Sequence, residues 1–233
     1  MVITVSRETE SGGEEIARLA AERLGIQVAD RAILERIAQH EGLPITHLSL
    51  FDDAVPGPIE ALIAEWRTSV SQVIYLRRLV RVLLLLERED NMVILGRGAA
   101  FVLTDPGTLH VRIVAPMPCR VARLVEQRGV PGAEAERMIL QGDVARARFV
   151  RQAFRVDIAS PTHYDLAVNT AELPLDGAAE VLAVAAHRKA TRRRVAAETP
   201  EDFLSHLSRF RRRPRFPRVS EVTWERCRRR VPG

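Results

Sequence analysis

Arginine side chains beside predicted turns are the groups in this sequence best suited to chemistry. Of the 35 basic residues, Lys189 is the single lysine and the other 34 are arginines. A planar guanidinium donates two parallel hydrogen bonds to a phosphate or a carboxylate, and it stays charged at physiological pH. The residue types therefore favour recognition of an anion. Any mechanism that needs a lysine before position 189 is excluded.

A glycine-rich turn follows the first predicted strand and opens a predicted helix. It contains Arg7, Ser11, Gly12, Gly13 and Glu14. Backbone N–H groups at such a turn, together with the positive end of the helix, bind phosphate in α/β proteins. The turn lacks the GxxxxGK[ST] sequence, whose lysine reaches the terminal phosphates. Ser11 and Glu14 also have the spacing of a capping box, in which case the turn only starts a helix.

Short apolar segments alternate with segments of helical periodicity along the chain. This alternation predicts an α/β fold, a three-layer parallel sheet with helices on both faces. The predicted strands are 2–6, 92–95, 109–115 and 166–169. The first predicted helix follows the glycine-rich turn and ends near residue 24, and further helices are predicted at 30–40, 59–89, 133–156 and 176–194. The carboxyl ends of these strands should place the turns at one edge of the sheet.

Four separated segments together resemble the cytidylate-kinase-like family, a branch of the nucleoside monophosphate kinases with a P-loop kinase fold. The segments are 3–17 with 24–25 and 30–31, then 93–98, then 109–116 with Arg120, and finally 143–146 with 164–166 and 169–170. The resemblance spans about 2–186 and implies a helical insert at about 31–90.

The resemblance implies transfer of the γ-phosphoryl group of ATP to CMP, dCMP or a similar acceptor, with Mg²⁺ required. It also implies three groups of site residues, and we assign no residue of this chain as a metal ligand. These are a donor-phosphate loop of Arg7, Ser11, Gly12, Gly13, Glu14 and Glu15, an acceptor site of Asp30, Arg31, Gly96 and Arg97, and a catalytic set of Arg120, Asp143, Arg146 and Arg148.

Some of these residues also have purely structural interpretations. Asp30 and Arg31 fit the N-cap and first position of a helix. Asp143 and Arg146 fit an ordinary i,i+3 ion pair, and Arg148 fits a solvated basic helix face.

The chain departs from the parent cytidylate kinases within the motifs themselves. Gly13 stands where the parent loop has its lysine, and Arg7 stands where the parent loop has a glycine. Glu15 occupies the position of the Mg²⁺-binding hydroxyl, and Gly98 that of a carboxylate. These departures support a second hypothesis, a catalytically degenerate kinase-like protein that acts in regulation or in nucleic-acid association through its basic tail.

The basic residues are concentrated near the carboxyl end. Residues 187–233 hold 15 basic and 5 acidic residues, whereas residues 1–186 hold 20 and 25. We therefore predict a domain at 1–195 and a basic, flexible tail at 196–233. The arginine runs, with Phe216 and Trp224 for stacking, suit a nucleic acid or an anionic surface at residues 187–233.

Several classes of protein are not expected. Cys119 and Cys227 are the two cysteines, which argues against a disulfide framework or a zinc cluster. The apolar stretch around 73–86 is interrupted by arginines, so no membrane span is predicted. With no secretory pattern at residues 1–7, a cytoplasmic protein is expected. The long apolar helix at 59–89 also suits a homodimer contact.

Overall fold

The computed structural model describes residues 1–29 and 69–191 of the chain. The strands are β1 (Val2–Arg7), β2 (Gln27–Val28), β3 (Met92–Leu95), β4 (Leu109–Val114) and β5 (Leu166–Asn169). The helices are α1 (Gly13–Leu24), α2 (Ser69–Glu89), α3 (Ala99–Val102), α4 (Met117–Arg128), α5 (Gly132–Phe154) and α6 (Leu175–Ala190), with a 3-10 turn at Pro161–His163.

The strands form one parallel sheet in the order β2-β3-β1-β4-β5. Val5 of β1 pairs with Leu95 on one side and with Val111 on the other, so β1 lies at the centre. The α/β prediction is confirmed. The prediction missed β2, because two residues are too few to show a strand pattern. This strand is recognisable only from its pairing with β3.

One face of the sheet packs against α1 and α6. Every residue of β1 is buried, as expected for a central strand covered on both faces. Small side chains let the two helices lie close to the strands and to each other. The buried residues of this layer are Ile3, Val5, Ile16, Ala17, Ala20, Ala21, Val93, Leu109, Val111, Ile113, Val168, Ala178, Ala179, Leu182 and Ala186.

The opposite face of β1 and β4 carries polar side chains that pair with one another. Thr4 and His110 share a hydrogen bond of 2.8 Å between Oγ1 and Nδ1. Two residue pairs further along, Ser6 lies beside Arg112, whose Nη1 donates to Ser6 Oγ at 2.9 Å. Polar groups on this face thus approach the carboxyl edge of the sheet, where β1 and β4 end.

The helices agree with the sequence prediction where the structure describes them. Helix α2 covers residues 69–89 of the predicted 59–89 helix, and its Leu79, Val80, Leu83 and Leu86 are buried within the chain. The predicted 30–40 helix, Asp30, Arg31 and residues 196–233 lie outside the described residues. None of the helices in the described ranges is long and apolar enough to cross a membrane.

Candidate functional site

The loop of residues 8–12 leaves β1 at the carboxyl edge of the sheet and leads into α1. The Glu8 amide donates to the Ile113 carbonyl at 3.1 Å, which ties the start of the loop to β4. Gly12 has a φ of 81°, a left-handed conformation that glycine adopts at little cost. The loop therefore turns sharply and directs the first amides of α1 towards the edge where strands β1 and β4 end.

The capping-box interpretation of this turn is wrong. No side chain caps the start of α1, and Gly12 is the N-cap residue. Ser11 Oγ donates to the Glu8 carbonyl at 2.9 Å, and Glu14 accepts from Arg7 Nη2 at 2.9 Å. Contacts within the loop and with β1 therefore compete successfully for both side chains. The amides of the first helical turn are left for another acceptor.

Asp143 of α5 holds the loop from one side. Its Oδ1 accepts from both the amide and the hydroxyl of Thr9, each at 2.8 Å. Its Oδ2 accepts from Nη1 of Arg120, a buried residue of α4, at 2.5 Å. Arg146 lies one turn along α5 and donates to Thr9 Oγ1 at 2.5 Å. The structure thus brings together three of the four residues predicted to be catalytic.

The approach of α5 to the loop depends on Gly142. A Cβ atom at this position would lie 2.5 Å from Thr9 Oγ1. Any larger residue there would push the loop away from Asp143.

Arg123 of α4 holds the loop from the other side. Its Nη1 donates to Thr170 Oγ1 at 2.9 Å and to the Glu10 carbonyl at 3.3 Å, and its Nη2 donates to the Thr170 carbonyl at 2.9 Å. The Thr170 hydroxyl in turn donates to the Ser11 carbonyl at 2.8 Å. Arg123 was not predicted as a site residue, although its position three residues after Arg120 puts it on the same side of a helix.

Glu8 lies between two buried arginines. Its Oε2 accepts from the Ala115 amide at 3.1 Å and lies 3.7 Å from Arg120 Nε, while its Oε1 lies 4.0 Å from Arg112 Nη2. In the described part of the chain, the Nε atoms of Arg112 and Arg120 are buried and have no hydrogen-bond acceptor. Leaving such donors unpaired costs free energy, which a further acceptor at this edge would recover.

Arg112 is a second residue that the sequence prediction missed. Only 8% of it is exposed, and it is held by Ser6, whose Oγ also lies 3.2 Å from the Tyr164 hydroxyl. Burial raises the pKa of Tyr164 and outweighs the hydrogen bond to Ser6 and the charge of Arg112, which act in the opposite sense. Tyr164 therefore stays neutral at physiological pH and keeps Ser6 in place.

These contacts define a group that we call the loop cluster. It consists of Arg7, Arg112, Arg120, Arg123 and Arg146 with Glu8, Glu14 and Asp143. Five guanidinium groups face three carboxylates, so the cluster carries a net positive charge beside the amides at the start of α1. This arrangement suits a multiply charged anion such as a polyphosphate.

Arg97 lies in a separate turn at the ends of β2 and β3. Its Nη1 donates to the carbonyls of Ala29 at 3.4 Å and Leu95 at 3.2 Å. Gly96, Arg97 and Gly98 have φ values of 68°, 57° and 69°, so all three are left-handed. A non-glycine residue held in this conformation is strained, and such strain is common at functional sites.

Gly98 is required by this turn for a second reason, which can be tested. A Cβ atom at Gly98 would lie 2.2 Å from Phe154 Cε2, whereas one at Gly129, with a similar φ of 66°, would meet nothing within 4 Å. We expect Gly98→Ala to lower the free energy of unfolding by about 2–4 kcal/mol, from backbone strain plus overpacking. Gly129→Ala should cost about 1–2 kcal/mol, from strain alone. Urea denaturation measures both, and equal losses would contradict the packing argument.

The remaining predicted residues are distributed as follows. Glu15 is exposed and accepts from Arg18 at 2.6 Å. Arg148 is exposed on α5, and Asp30 and Arg31 are outside the described ranges. The only lysine, Lys189, pairs with Asp165 at the opposite edge of the sheet. Burial acts to raise the pKa of Asp165, but the hydrogen bonds from Lys189 and the His110 amide and the charge of Lys189 outweigh it, so the pKa is lowered.

The carboxylates near the loop do not form a magnesium site by themselves. Within residues 1–29 and 69–191, no group of three His, Cys, Asp or Glu side chains could hold a metal ion. Glu8 and Asp143 face guanidinium groups, and Glu15 pairs with Arg18. The carboxylates of these described residues are therefore engaged by guanidinium groups and form no Mg²⁺ site by themselves.

Comparison with known protein families gives one match over most of the chain. The model of the cytidylate kinase-like family matches residues 2–172. The cytidylate kinase of Archaeoglobus fulgidus is 23% identical over 183 residues, which are 78% of this chain and 92% of that protein. The cytidylate kinase of Ignicoccus hospitalis is 26% identical over 183 residues, which are 78% of this chain and 96% of that protein.

A similar fold occurs among solved structures. An uncharacterized protein from Eubacterium ventriosum superposes with a TM-score of 0.59 at 18% identity, covering 80% of this chain and 98% of that one. At this identity the likeness concerns the fold.

Proposed function

Because the chain belongs to the cytidylate kinase-like family and has a P-loop kinase fold, we propose that it transfers the γ-phosphoryl group of ATP to CMP, dCMP or a similar nucleoside monophosphate. The loop cluster is the observation that carries the proposal. It puts excess positive charge and the amides of α1 at the carboxyl edge of a parallel sheet, where ligands of such folds bind. Phosphoryl transfer needs mainly positioning and charge neutralisation, and these groups supply both.

The donor phosphates belong at the start of α1. The amides of Gly12 and Gly13 would donate to them, whereas the Ser11 amide, predicted for the same role, donates to the Glu8 carbonyl at 3.3 Å. Arg7, which lies beside Gly13, would add positive charge. The acceptor belongs near Gly96 and Arg97, together with Asp30 and Arg31. A guanidinium fork at Arg97 suits the acceptor's phosphate.

The reaction forms a bond between an acceptor phosphate oxygen and the γ-phosphorus, and it breaks the bond from that phosphorus to the β,γ-bridging oxygen of ATP. ADP leaves with the bridging electron pair. A phosphate monoester is largely ionised at pH 7, since its second pKa is about 6, so the attacking oxygen needs no general base. Asp143 therefore acts by positioning Arg120, while Arg120, Arg146 and Arg148 neutralise charge on the transferred group.

Magnesium enters this proposal only as the complex that ATP brings with it. Mg²⁺ is commonly held by substrate phosphates and waters with one or two carboxylates. Since the described residues offer no dedicated site for it, we assign no residue to the metal.

Phosphoryl transfer from ATP·Mg²⁺ to a panel of nucleoside monophosphates tests the proposal directly. We expect turnover that prefers CMP or dCMP, and we expect Arg146→Ala to lower kcat/KM by about 100-fold, because a charge-assisted hydrogen bond to phosphate is lost. Arg137→Ala is the matched control, since Arg137 is an exposed arginine of the same helix and should leave turnover unchanged. Absence of turnover on every acceptor, from protein shown to be folded, would refute the proposal.

That negative result would favour the second candidate, a catalytically degenerate relative acting through residues 187–233. The observation that supports this candidate is the acidic first turn of α1, where Glu14 holds Arg7 and Glu15 replaces a hydroxyl. Nucleic-acid binding through the tail should fall steeply with salt and disappear in a chain ending at 195. We propose the same boundary as the limit of the kinase-like domain.

A further inference from the structure

The side chain of Arg7 fills the space that a side chain at position 13 would need at the start of α1. Arg7 is the last residue of β1 and only 4% exposed. A Cβ atom built on Gly13 would lie 2.8 Å from Arg7 Cβ, 3.1 Å from its Cδ and 3.3 Å from its Cγ. Real Cβ atoms do not approach other atoms this closely, and the Arg7 Cβ is fixed by the backbone of a central strand. Residues 7 and 13 therefore cannot both carry an unstrained side chain in this backbone.

The charged end of Arg7 reaches the first turn of α1. Its Nη2 donates to Glu14 Oε1 at 2.9 Å. The first intrahelical hydrogen bond of α1 runs from the Ile16 amide to the Gly12 carbonyl at 3.0 Å, so the amides before Ile16 face the same region. A guanidinium and a set of helix N-terminal amides thus lie together.

The spacing of the general phosphate-loop sequence gives this arrangement a meaning. When the glycine before the lysine in the GxxxxGK part of this sequence is placed on Gly12, the first glycine falls on position 7 and the lysine on position 13. This chain has arginine at 7 and glycine at 13. Compared with the general sequence, the basic residue and the glycine have exchanged positions. Because positions 7 and 13 lie so close together, a long side chain at one of them requires glycine at the other.

We propose that Arg7 is the phosphate-binding cation of this loop, replacing from the end of β1 the lysine that other loops carry at the first helical position. The inference rests on the proposed function in one respect, that the ligand is the terminal phosphates of a nucleoside triphosphate. Gly13 is the complement of Arg7, because the absence of a Cβ there leaves room for the arginine stem.

The carboxylate of Glu14, which accepts from Arg7, is the most exposed of the three in the loop cluster. Glu14 is 61% exposed, whereas Glu8 and Asp143 are 26% and 27% exposed. An exposed carboxylate returns to water at little cost when a phosphate replaces it on the guanidinium. Glu14 therefore acts as a competitor for Arg7, and Glu14→Gln should tighten phosphate binding.

The test is an exchange of the two residues. Inorganic tripolyphosphate and ATP serve as the probes, with dissociation constants from calorimetry and stabilities from thermal unfolding of the full chain. We expect Arg7→Gly to weaken binding of both probes by about 10–150-fold, the range for a charge-assisted hydrogen bond. Gly13→Lys should destabilise the fold through its contact with Arg7. The double variant R7G/G13K should recover stability relative to G13K, and it should bind both probes at least about tenfold more tightly than R7G, through the restored cation.

Two further variants keep the result interpretable. Arg7→Gln retains the Cβ and Cγ methylenes of the side chain and removes its charge, so it should lose binding even if Arg7→Gly fails to fold. Arg7→Lys retains a cation and should keep part of the affinity.

The outcomes separate this inference from the proposed kinase activity. The inference is overturned if Arg7→Gln binds the probes as tightly as the unaltered protein, if the double variant binds no better than Arg7→Gly, or if the unaltered protein binds neither probe. If the unaltered protein binds ATP through Arg7 but phosphorylates no monophosphate, the kinase proposal fails and the role of Arg7 stands.

Discussion

Replacing Arg97 with glycine is expected to lower the affinity for CMP by about 100-fold, the loss of a charge-assisted contact with phosphate. The free energy of unfolding should change by less than about 1 kcal/mol, because two effects offset each other. Glycine relieves the left-handed strain at φ 57°, while the hydrogen bonds from Nη1 to Ala29 and Leu95 are lost. We propose that the strain at Arg97 is retained because its side chain contacts the acceptor phosphate.

Arg155→Gly is the matched control for this prediction. Arg155 is also an arginine in the left-handed region, with a φ of 60°, but it is exposed at the end of α5. Its replacement should leave CMP affinity unchanged. Calorimetric titration with CMP and urea denaturation of both variants provide the measurements. Equal affinities for CMP in the Arg97→Gly variant and the unaltered protein would remove Arg97 from the acceptor site.

Replacing Asp143 with alanine is expected to be among the most destabilising substitutions in the described part of the chain. The change removes the shorter of the two ion pairs of the buried Arg120 guanidinium, which keeps Glu8 at 3.7 Å. It also removes the oxygen that accepts both hydrogen bonds from Thr9. Breaking a buried pair in this way costs about 3–5 kcal/mol, and the upper part of that range requires full burial. Since Asp143 is 27% exposed, we expect about 3 kcal/mol.

The control for Asp143 is Glu136→Ala, an exposed carboxylate on the same helix, which should change stability by less than about 0.5 kcal/mol. The loss of stability in Asp143→Asn should lie between the losses in these two variants, because the amide oxygen still accepts from Thr9 while the charge is lost. Guanidinium chloride denaturation measures all three. If Asp143→Ala is no less stable than Glu136→Ala, Asp143 does not hold the loop against α4 and α5.

Much of the fold follows from local patterns in the sequence. The alternation of apolar strands with amphipathic helices predicts the layers, because burial of one helix face and of both strand faces requires those periodicities. Strands β3 and β5 are confirmed to the residue, and β1 and β4 to within one residue. The family resemblance also follows from the sequence, since its motifs fall at the ends of these elements and the family match covers residues 2–172.

The composition of the site required the tertiary structure. Thr9 and Asp143 are separated by 134 positions, and no local pattern connects them. Arg112 reads in the sequence as one polar residue in a buried strand, and only the pairing of β4 with β1 brings it to Ser6 and Glu8. The capping-box prediction failed for the same reason, because it considered only the four residues of the turn.

The sequence by itself therefore determined the class of fold, the family and the predominance of arginine over lysine. The tertiary structure decided which arginines meet, which carboxylates oppose them, and that the side chain of Arg7 fills the space beside Gly13. The physical reason is that secondary structure depends on periodicities over a few residues. A cluster of charges at a sheet edge depends instead on which distant segments pair, and on the volume that remains when they have packed.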